Sequence, residues 1–165
     1  MAKNAYLLID GIEGECTVPE HEGWIEIIEM EHEVQQAASR SKSSAGGLTG
    51  ERTDHADFVI KKEMDKTTPK LYEHCSTGKT IPFAEVSLKR AAGGEDKVEY
   101  MHYKFSPILI TSVSTEFEDD AVLPTEVVTF TYQQVEWKYT QQKQADGTPG
   151  GVVATGYTLK KDAKV

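Results

Sequence analysis

The run of residues 125–140 restricts the possible folds more than any other part of the chain, because β-branched and aromatic side chains dominate it. Such side chains suit a pleated, half-buried surface and favour a strand. They occupy both parities: Val135 and Trp137 stand at odd positions, Phe130 and Tyr132 at even ones. A sheet with one face in water should alternate more cleanly. We therefore predict sheets covered on both faces, as in a barrel or sandwich whose outside also meets another subunit.

Residues 84–105 carry a second strand signal. Apolar and polar side chains alternate over residues 84–89, a glycine-containing turn follows at 93–96, and residues 98–105 return. This pattern predicts a β-hairpin. Ser106-Pro107 should break or bend the returning strand. Residues 152–160 should pair back onto the 125–140 run as the last strand.

One segment has a helical pattern. Thr67 or Thr68 can cap its start, Pro69 suits its first turn, and Gly78 can end it. Leu71 lies on its apolar side. The predicted fold class is therefore mainly β with one short helix.

Residues 25–35 place carboxylates on one face of a predicted strand. Glu29, Glu31 and Glu33 share one parity, so their side chains point the same way. The apolar phase changes at residues 27–28, which indicates a bulge or coverage of both faces there. Alternate glutamates on a strand lie about 7 Å apart. Catalytic carboxylate pairs also show such separations, but a solvated acidic face is the commoner arrangement.

Residues 39–54 contain the one clear low-complexity stretch, in which serines and glycines dominate positions 39–50. Small polar residues and glycines cannot build a core, so this stretch predicts an extended, flexible loop. Its length exceeds the roughly 12–15 residues at which structureless loops become uncommon. Long loops of this kind are either functional or disordered, and both interpretations stay open at this point.

Length and charge limit the classes of function. The chain has 165 residues and a net charge of −9, which fits one domain spanning 1–165. The acid excess argues against a nucleic-acid partner and against docking on anionic lipid. The apolar stretch 5–9 is shorter than the roughly 7–15 residues of a secretory signal, and no run approaches the roughly 18 of a spanning helix. We expect a cytosolic chain with no signal peptide and no membrane insertion, in which Cys16 and Cys75 are ordinary thiols.

No pattern in the chain predicts catalysis, a cofactor or a metal. Residues 75–80 end like a phosphate-binding loop, but Glu73 stands where that pattern needs glycine. No Gly-x-Ser-x-Gly elbow is present. Metal-ligand spacing is lacking among the five histidines, which are His21, His32, His55, His74 and His102. We predict a protein that is not an enzyme.

Several stretches together resemble one family. In order they are LIDGIEGE (8–15), MDKTTPKL (64–71), CSTGK (75–79), AAGG (91–94), VEY (98–100), VS (113–114), KQADG (143–147), GGVV (150–153) and Gly156. The most specific part is the Asp-Lys-x-Thr-Pro-x-Leu segment that ends in Cys-Ser-x-Gly-Lys. In these stretches, which span essentially the whole chain, the protein resembles Hcp, the tube-forming family of bacterial type VI secretion systems.

The resemblance implies a β-barrel of two packed antiparallel sheets with one short flanking helix. It implies a homohexameric ring, and rings stacked into a tube that a contractile sheath propels out of the cell with a VgrG-type spike. Effector proteins would bind in the lumen. The protein would be cytoplasmic before firing and extracellular afterwards. The alternatives are a phage-tail-tube-like or adhesin-type β module without a secretion role, and a small enzyme that uses the glutamate-rich strand.

The resemblance also assigns site residues. The loop at 39–54 corresponds to the family's extended loop, which reaches the neighbouring ring. Its stacking candidates are Ser39, Lys42, Gly46, Gly47, Leu48, Gly50 and Arg52. The strand at 25–35 corresponds to a family strand that faces the lumen. Its lumen candidates are Glu29, Glu31 and Glu33.

Overall fold

The computed structural model of the protein describes residues 4–39, 49–91 and 97–165. Within these residues the chain forms eleven strands and one helix, in the order β1 (Ala5–Ile9), β2 (Ile25–Glu26), β3 (Glu29–Glu31), β4 (Val34–Ser39), β5 (Thr49–His55), β6 (Phe58–Glu63), α1 (Thr68–Thr77), β7 (Ala84–Ala91), β8 (Lys97–Glu116), β9 (Thr125–Gln142), β10 (Pro149–Thr158) and β11 (Ala163–Lys164). The predicted class, mainly β with one short helix, is confirmed.

The antiparallel pair β8–β9 is the spine of the larger sheet. β9 contains the strand predicted at 125–140 and has 18 residues. β8 has 20 residues and is the longer of the two. Along its other edge, β9 pairs with β6 through its first half and with β10 through its second half. β8 pairs with β7 through its first half, as the predicted hairpin requires, and β1 follows β7. One long strand pair is thus shared by two groups of shorter strands.

The segment 25–31 joins the two outer groups of strands. β2 pairs with β1, and β3 pairs with β6. The amide of Ile27 donates to the carbonyl of Ala5 at 3.1 Å, whereas the amide of Ile28 donates to Lys61 at 2.7 Å. The chain itself, at residues 27–28, therefore links the strand group that contains β1 to the group that contains β6.

The single strand predicted over 25–35 is wrong in its extent, because these residues form β2, β3 and the start of β4. The physical reason is a change of pairing partner between Ile27 and Ile28. Ile27 is buried, whereas Ile28 is 44% exposed. The predicted change of apolar phase lies at this switch.

Pro107 does not break β8, so of the two predicted outcomes, a break or a bend, the break is wrong. The peptide bond between Ser106 and Pro107 is cis. Ser106 still pairs with Gln134, and Ile108 with Tyr132. The amide of Ile108 also donates to the carbonyl of Ile81 at 2.9 Å. Because pairing with β9 continues on both sides of the proline, the strand runs on to Glu116.

The core lies inside the curved sheet and is centred on phenylalanine side chains. The rings of Phe58 and Phe105 have centroids 4.7 Å apart, and those of Phe105 and Phe130 are 5.3 Å apart. All three side chains are fully buried. Burying one such side chain contributes roughly 1.5–3 kcal/mol. Leu71 from α1 joins this core, which attaches the helix to the sheet.

The helix has the predicted bounds, but the hydrogen bonding at its start differs from the prediction. Pro69 lies in its first turn, and Gly78 ends it with φ at 63°, a left-handed conformation that glycine adopts without strain. The Thr67 side chain makes no capping hydrogen bond. Instead, Oδ1 of Asp65 accepts from the Thr67 amide at 2.9 Å. The carboxylate of Asp65 thus holds the turn that leads into the helix, and the capping bond predicted for a threonine hydroxyl is not formed by the N-cap residue Thr67.

Candidate assembly surface

A two-stranded hairpin, β4–β5, forms a sheet of its own beside the main sheet. Val34 pairs with His55 and Gln36 with Thr53. The Thr53 hydroxyl donates to the carbonyl of Gln35 at 3.3 Å. The side chains of residues 34–38 are exposed. The loop predicted over 39–54 is therefore wrong in its second part, because residues 49–54 pair with β4 as a strand.

Glycine at position 50 has a local reason in this hairpin. A Cβ added at Gly50 would stand 3.0 Å from Nε2 of Gln36. A strand whose two faces are both polar has no hydrophobic alternation to mark it, and its register is only weakly specified by its sequence. That is why a low-complexity composition suggested a loop where the structure has a strand.

The stacking candidates divide between described and undescribed residues. Ser39 ends β4, and both Gly50 and Arg52 lie in β5. Gly50 and Arg52 are exposed. The other candidates lie outside the described residues, namely Lys42, Gly46, Gly47 and Leu48.

The hairpin joins the body of the protein at two histidines. Nε1 of Trp137 donates to Nε2 of His32 at 2.9 Å, just before β4 begins. Nδ1 of His55, the last residue of β5, lies 3.2 Å from the Tyr132 hydroxyl. The amide of Ala56 donates to the carbonyl of Glu33 at 3.1 Å. These contacts hold the two hairpin ends together on the sheet.

Sequence reasoning missed the role of these histidines, since it tested them only as metal ligands. His32 and His55 are 23 positions apart and meet only because β4 and β5 pair. One signal in the sequence could have indicated an aromatic environment for these histidines, namely the aromatic content of the 125–140 run, which supplies Tyr132 and Trp137. Within the described residues, no group of three or more His, Cys, Asp or Glu side chains is placed to hold a metal ion.

The acidic face is smaller than predicted. Glu29 and Glu31 are exposed on one face of β3, and the half-buried Met30 between them packs against the core. Glu29 pairs across the strands with Lys61, whose Nζ lies 3.9 Å from Oε2 of Glu116. Glu33 lies beyond β3, in the connection to β4, and its Oε1 accepts from the Gln35 side chain. The predicted set of three same-face glutamates is thus a pair, with Glu33 held separately.

Several apolar side chains are exposed, and two regions hold the most exposed of them. On β10, Val153 is 66% exposed beside its cross-strand neighbour Tyr139, which is 39% exposed, and Val152 is 58% exposed on the opposite face. In the connection between β8 and β9, Phe117 and Val122 are exposed, Val122 to 98%. These side chains are available to an interface with another chain.

The fold and these surfaces set the context for comparison with known proteins. The sequence profile of a family described as "Type VI secretion system effector, Hcp" matches residues 6–139. The chain belongs to the Hcp family. The predicted resemblance and the predicted function class, a tube subunit of type VI secretion, are confirmed, and the comparisons give no support to the phage-tail or adhesin alternative.

Individual Hcp proteins are similar over different lengths. Protein hcp1 of Pseudomonas aeruginosa is 35% identical over 108 residues, an alignment that covers 66% of each chain. A structure titled "Structure of a type six secretion system protein" superposes with a TM-score of 0.91 at 26% identity, covering 99% of this chain and 100% of the other.

Two further Hcp structures extend the comparison. The Hcp1 protein of an Escherichia coli pathovar gives a TM-score of 0.75 at 26% identity, with 96% and 99% of the two chains covered. Hcp1 of Salmonella typhimurium gives 0.78 at 24% identity over the full length of both chains, a likeness of fold. Among the described residues, no helix combines the length and apolar character needed to cross a membrane.

Proposed function

We propose that this Hcp chain works by self-assembly: six copies close into a ring, and rings stack into the tube of a type VI secretion system. The observation that carries the proposal is the exposure of apolar side chains in two separate regions, on β9–β10 and in the β8–β9 connection. A stable protein interface buries about 1,200–2,000 Å² in total. Two different contact regions on one chain suit a head-to-tail contact, which is the contact that generates rings.

In this proposal the hairpin β4–β5 contacts the next ring. Its stacking residues are Ser39, Gly50 and Arg52 on the described strands, together with the candidates between positions 42 and 48. The exposed strands of β4–β5 offer unpaired backbone groups, which a neighbouring copy can satisfy. Ordering such a polar segment on contact costs conformational entropy, which keeps stacking weak until a template is present.

The lumen is proposed to carry the acidic face. Glu29 and Glu31 would then repeat six times around the channel, with Glu33 in the connection that follows β3. A ring of six chains, each with a net charge of −9, carries −54. Summed acidic charge along a channel concentrates basic partners. We therefore propose that basic effector proteins are the preferred cargo.

The partners follow from the same proposal. They are other copies of the chain, a VgrG-type spike at the tip, a contractile sheath outside, and effectors inside. The protein would be cytoplasmic before firing and would leave the cell through the apparatus. Assembly requires interfaces rather than reactive groups, so we propose no catalytic activity.

Negative-stain imaging and sedimentation of the purified chain test the ring directly. We expect six-fold annular particles with six times the 18.3 kDa mass of the chain. The double substitution Val152→Asp and Val153→Asp should reduce them to monomers if β10 lies in the ring contact. Glu73→Lys, on the exposed side of α1, is the control for a change of surface charge. Wild-type chain that stays at 18.3 kDa at high concentration would contradict the proposal.

A further inference from the structure

Both ends of the hairpin β4–β5 are held by imidazole rings in one cluster of aromatic side chains. His32 precedes β4, and His55 ends β5. We use the name aromatic base for the rings that surround them, which are Phe58, Tyr103, Phe105, Tyr132, Trp137 and Tyr157.

His32 lies deepest in the aromatic base. Its ring centroid is 5.6 Å from that of Tyr103 and 5.9 Å from that of Trp137. Because Trp137 Nε1 can only donate, Nε2 of His32 must accept, and the proton of the neutral ring stands on Nδ1. Nδ1 is buried and has no hydrogen-bond partner in the described part of the chain. A second proton on Nε2 would face the Trp137 N–H group and would find no acceptor.

His55 lies nearer the surface of the same cluster. Its ring stacks on Tyr157 with centroids 5.2 Å apart and planes 16° from parallel, and its Nδ1 contacts the Tyr132 hydroxyl. The charged groups around it are Asp54 on its own strand and Asp162, which accepts from the Tyr157 hydroxyl.

The remaining ionisable groups around the aromatic base are few. The charge of Asp57 raises the pKa of Tyr132, and that of Tyr100 raises the pKa of Tyr103. His55 is the only charge-bearing group with an identified effect on His32 in the described residues. The neighbours of His32 in the chain, Glu31 and Glu33, are exposed, and within the described residues no carboxylate raises the pKa of His32.

We propose that His32 and His55 form an acid-sensitive latch: both rings are neutral when the hairpin is seated, and protonation detaches β4–β5 from the aromatic base. Protonating His32 breaks the bond from Trp137 and leaves a cation among aromatic rings without a counter-ion. Protonating His55 adds a second positive charge beside the first. Each event favours a hairpin whose ends are released into water.

The direction of the pKa changes agrees with this geometry. Burial lowers the pKa of His32, and the charge of His55 lowers it further. Burial lowers the pKa of His55, while Asp54 and Asp162 oppose that shift. A depressed pKa means that the released form binds more protons than the seated form. The seated state is therefore fully favoured above about pH 6.5, the ordinary histidine pKa, and loses stability as the pH falls below it.

Amide hydrogen exchange of the full chain tests the latch, whatever its assembly state. Between pH 7.5 and pH 5.5, after correction for intrinsic exchange rates, we expect protection of β4 and β5 to fall at least tenfold relative to β8 and β9. Exchange of the imidazole C2 protons in the same samples reports the pKa values of His32 and His55. Both values should lie below 6.5.

Variants separate the latch from general acid destabilisation. His32→Gln keeps an acceptor for Trp137, and His55→Phe keeps a ring on Tyr157, but neither titrates. The double variant should retain hairpin protection at pH 5.5, whereas the control His74→Gln on α1 should lose it as the wild type does. The proposal is overturned if wild-type protection falls equally in the hairpin and in β8–β9, if it does not fall, or if both C2 pKa values reach 6.5 or more. The comparison of the two histidine pKa values with 6.5 is made on the wild type and needs no variant.

If β4–β5 contacts the next ring, release of the hairpin at low pH also weakens ring stacking. This consequence rests on the proposed function. The exchange experiment does not depend on that step. Hairpin release without any effect on stacking would refute the stacking role of β4–β5 and leave the latch intact.

Discussion

Lys62 and Glu126 form a fully buried ion pair, with Nζ and Oε2 2.7 Å apart. The Lys62 ammonium also contacts Oδ1 of Asp65 at 3.0 Å and the carbonyl of Glu63 at 2.9 Å. The Thr68 hydroxyl donates to the same Glu126 oxygen at 3.0 Å. The pair therefore ties the start of α1 to the neighbouring strands β6 and β9.

Replacing one member of this pair should be strongly destabilising. Lys62→Met leaves the Glu126 carboxylate buried without its cation, at an expected cost of about 3–5 kcal/mol in the free energy of unfolding. The double variant Lys62→Met with Glu126→Leu should recover a large part of that loss. Denaturant unfolding measures both changes. The control is Lys70→Met, which breaks an exposed pair with Glu73 and should have little effect. Equal costs for Lys62→Met and Lys70→Met would contradict the prediction.

Gly14 should tolerate no side chain. A Cβ at this position would stand 2.2 Å from the carbonyl oxygen of Trp24, and a backbone atom cannot move aside as a side chain can. We expect Gly14→Ala to lower the free energy of unfolding by about 3 kcal/mol or more. Gly11→Ala is the matched comparison, because Gly11 has φ at 79° but open space around it. Its cost should stay near 1–2 kcal/mol. The opposite ranking in thermal or denaturant unfolding would show the close approach to be wrong.

Deleting residues between β4 and β5 should separate ring formation from stacking. Deletion of residues 43–48 stops before β5 and leaves the described pairs of β4 and β5 in place. We expect six-fold rings of normal size, seen by sedimentation, and no tubes under conditions in which the wild type forms them. Deletion of Asp146 and Gly147 is the control, because it also shortens a connection between two paired strands, here β9 and β10, away from β4–β5. Normal tube formation by the 43–48 deletion would exclude the proposed contact.

Charge reversal on β3 should weaken binding of basic cargo. A fluorescent arginine-rich peptide is a suitable probe, and its anisotropy in the presence of rings should fall as salt is added, since screening acts within about 8–10 Å at physiological ionic strength. Glu31→Lys should reduce binding several-fold. Glu118→Lys makes the same charge change in the exposed β8–β9 connection and should matter less. Identical affinities for the two variants would place the peptide away from β3.

Local patterns predicted the elements whose partners follow directly along the chain. The β7–β8 hairpin, the 125–140 strand and the helix end at Gly78 all depend on short-range signals, and each was located correctly. Glu29 and Glu31 were also placed on one face, because a strand repeats every two residues. Family resemblance, rather than periodicity, supplied the function.

The errors in the extent of strands share one physical cause, which is the choice of a pairing partner outside the local sequence. Residues 25–31 change partner from β1 to β6, and no local pattern specifies which strand lies opposite. β5 is a strand because β4 is available to it, despite its polar composition. His32, His55 and Trp137 of the aromatic base come from separate elements, so the contact of the two histidines with that cluster became visible only in three dimensions.

The long pairing of β8 with β9, which continues past Pro107 and past a register shift between Ile110 and Ser112, has a mechanical consequence. Their hydrogen bonds run perpendicular to the strands over 14 residue pairs, from Met101–Tyr139 to Glu116–Thr125. A pull along the strands loads these bonds together, in shear, instead of peeling them apart one after another. A subunit built on such a rib resists stretching along that axis far better than bending across it.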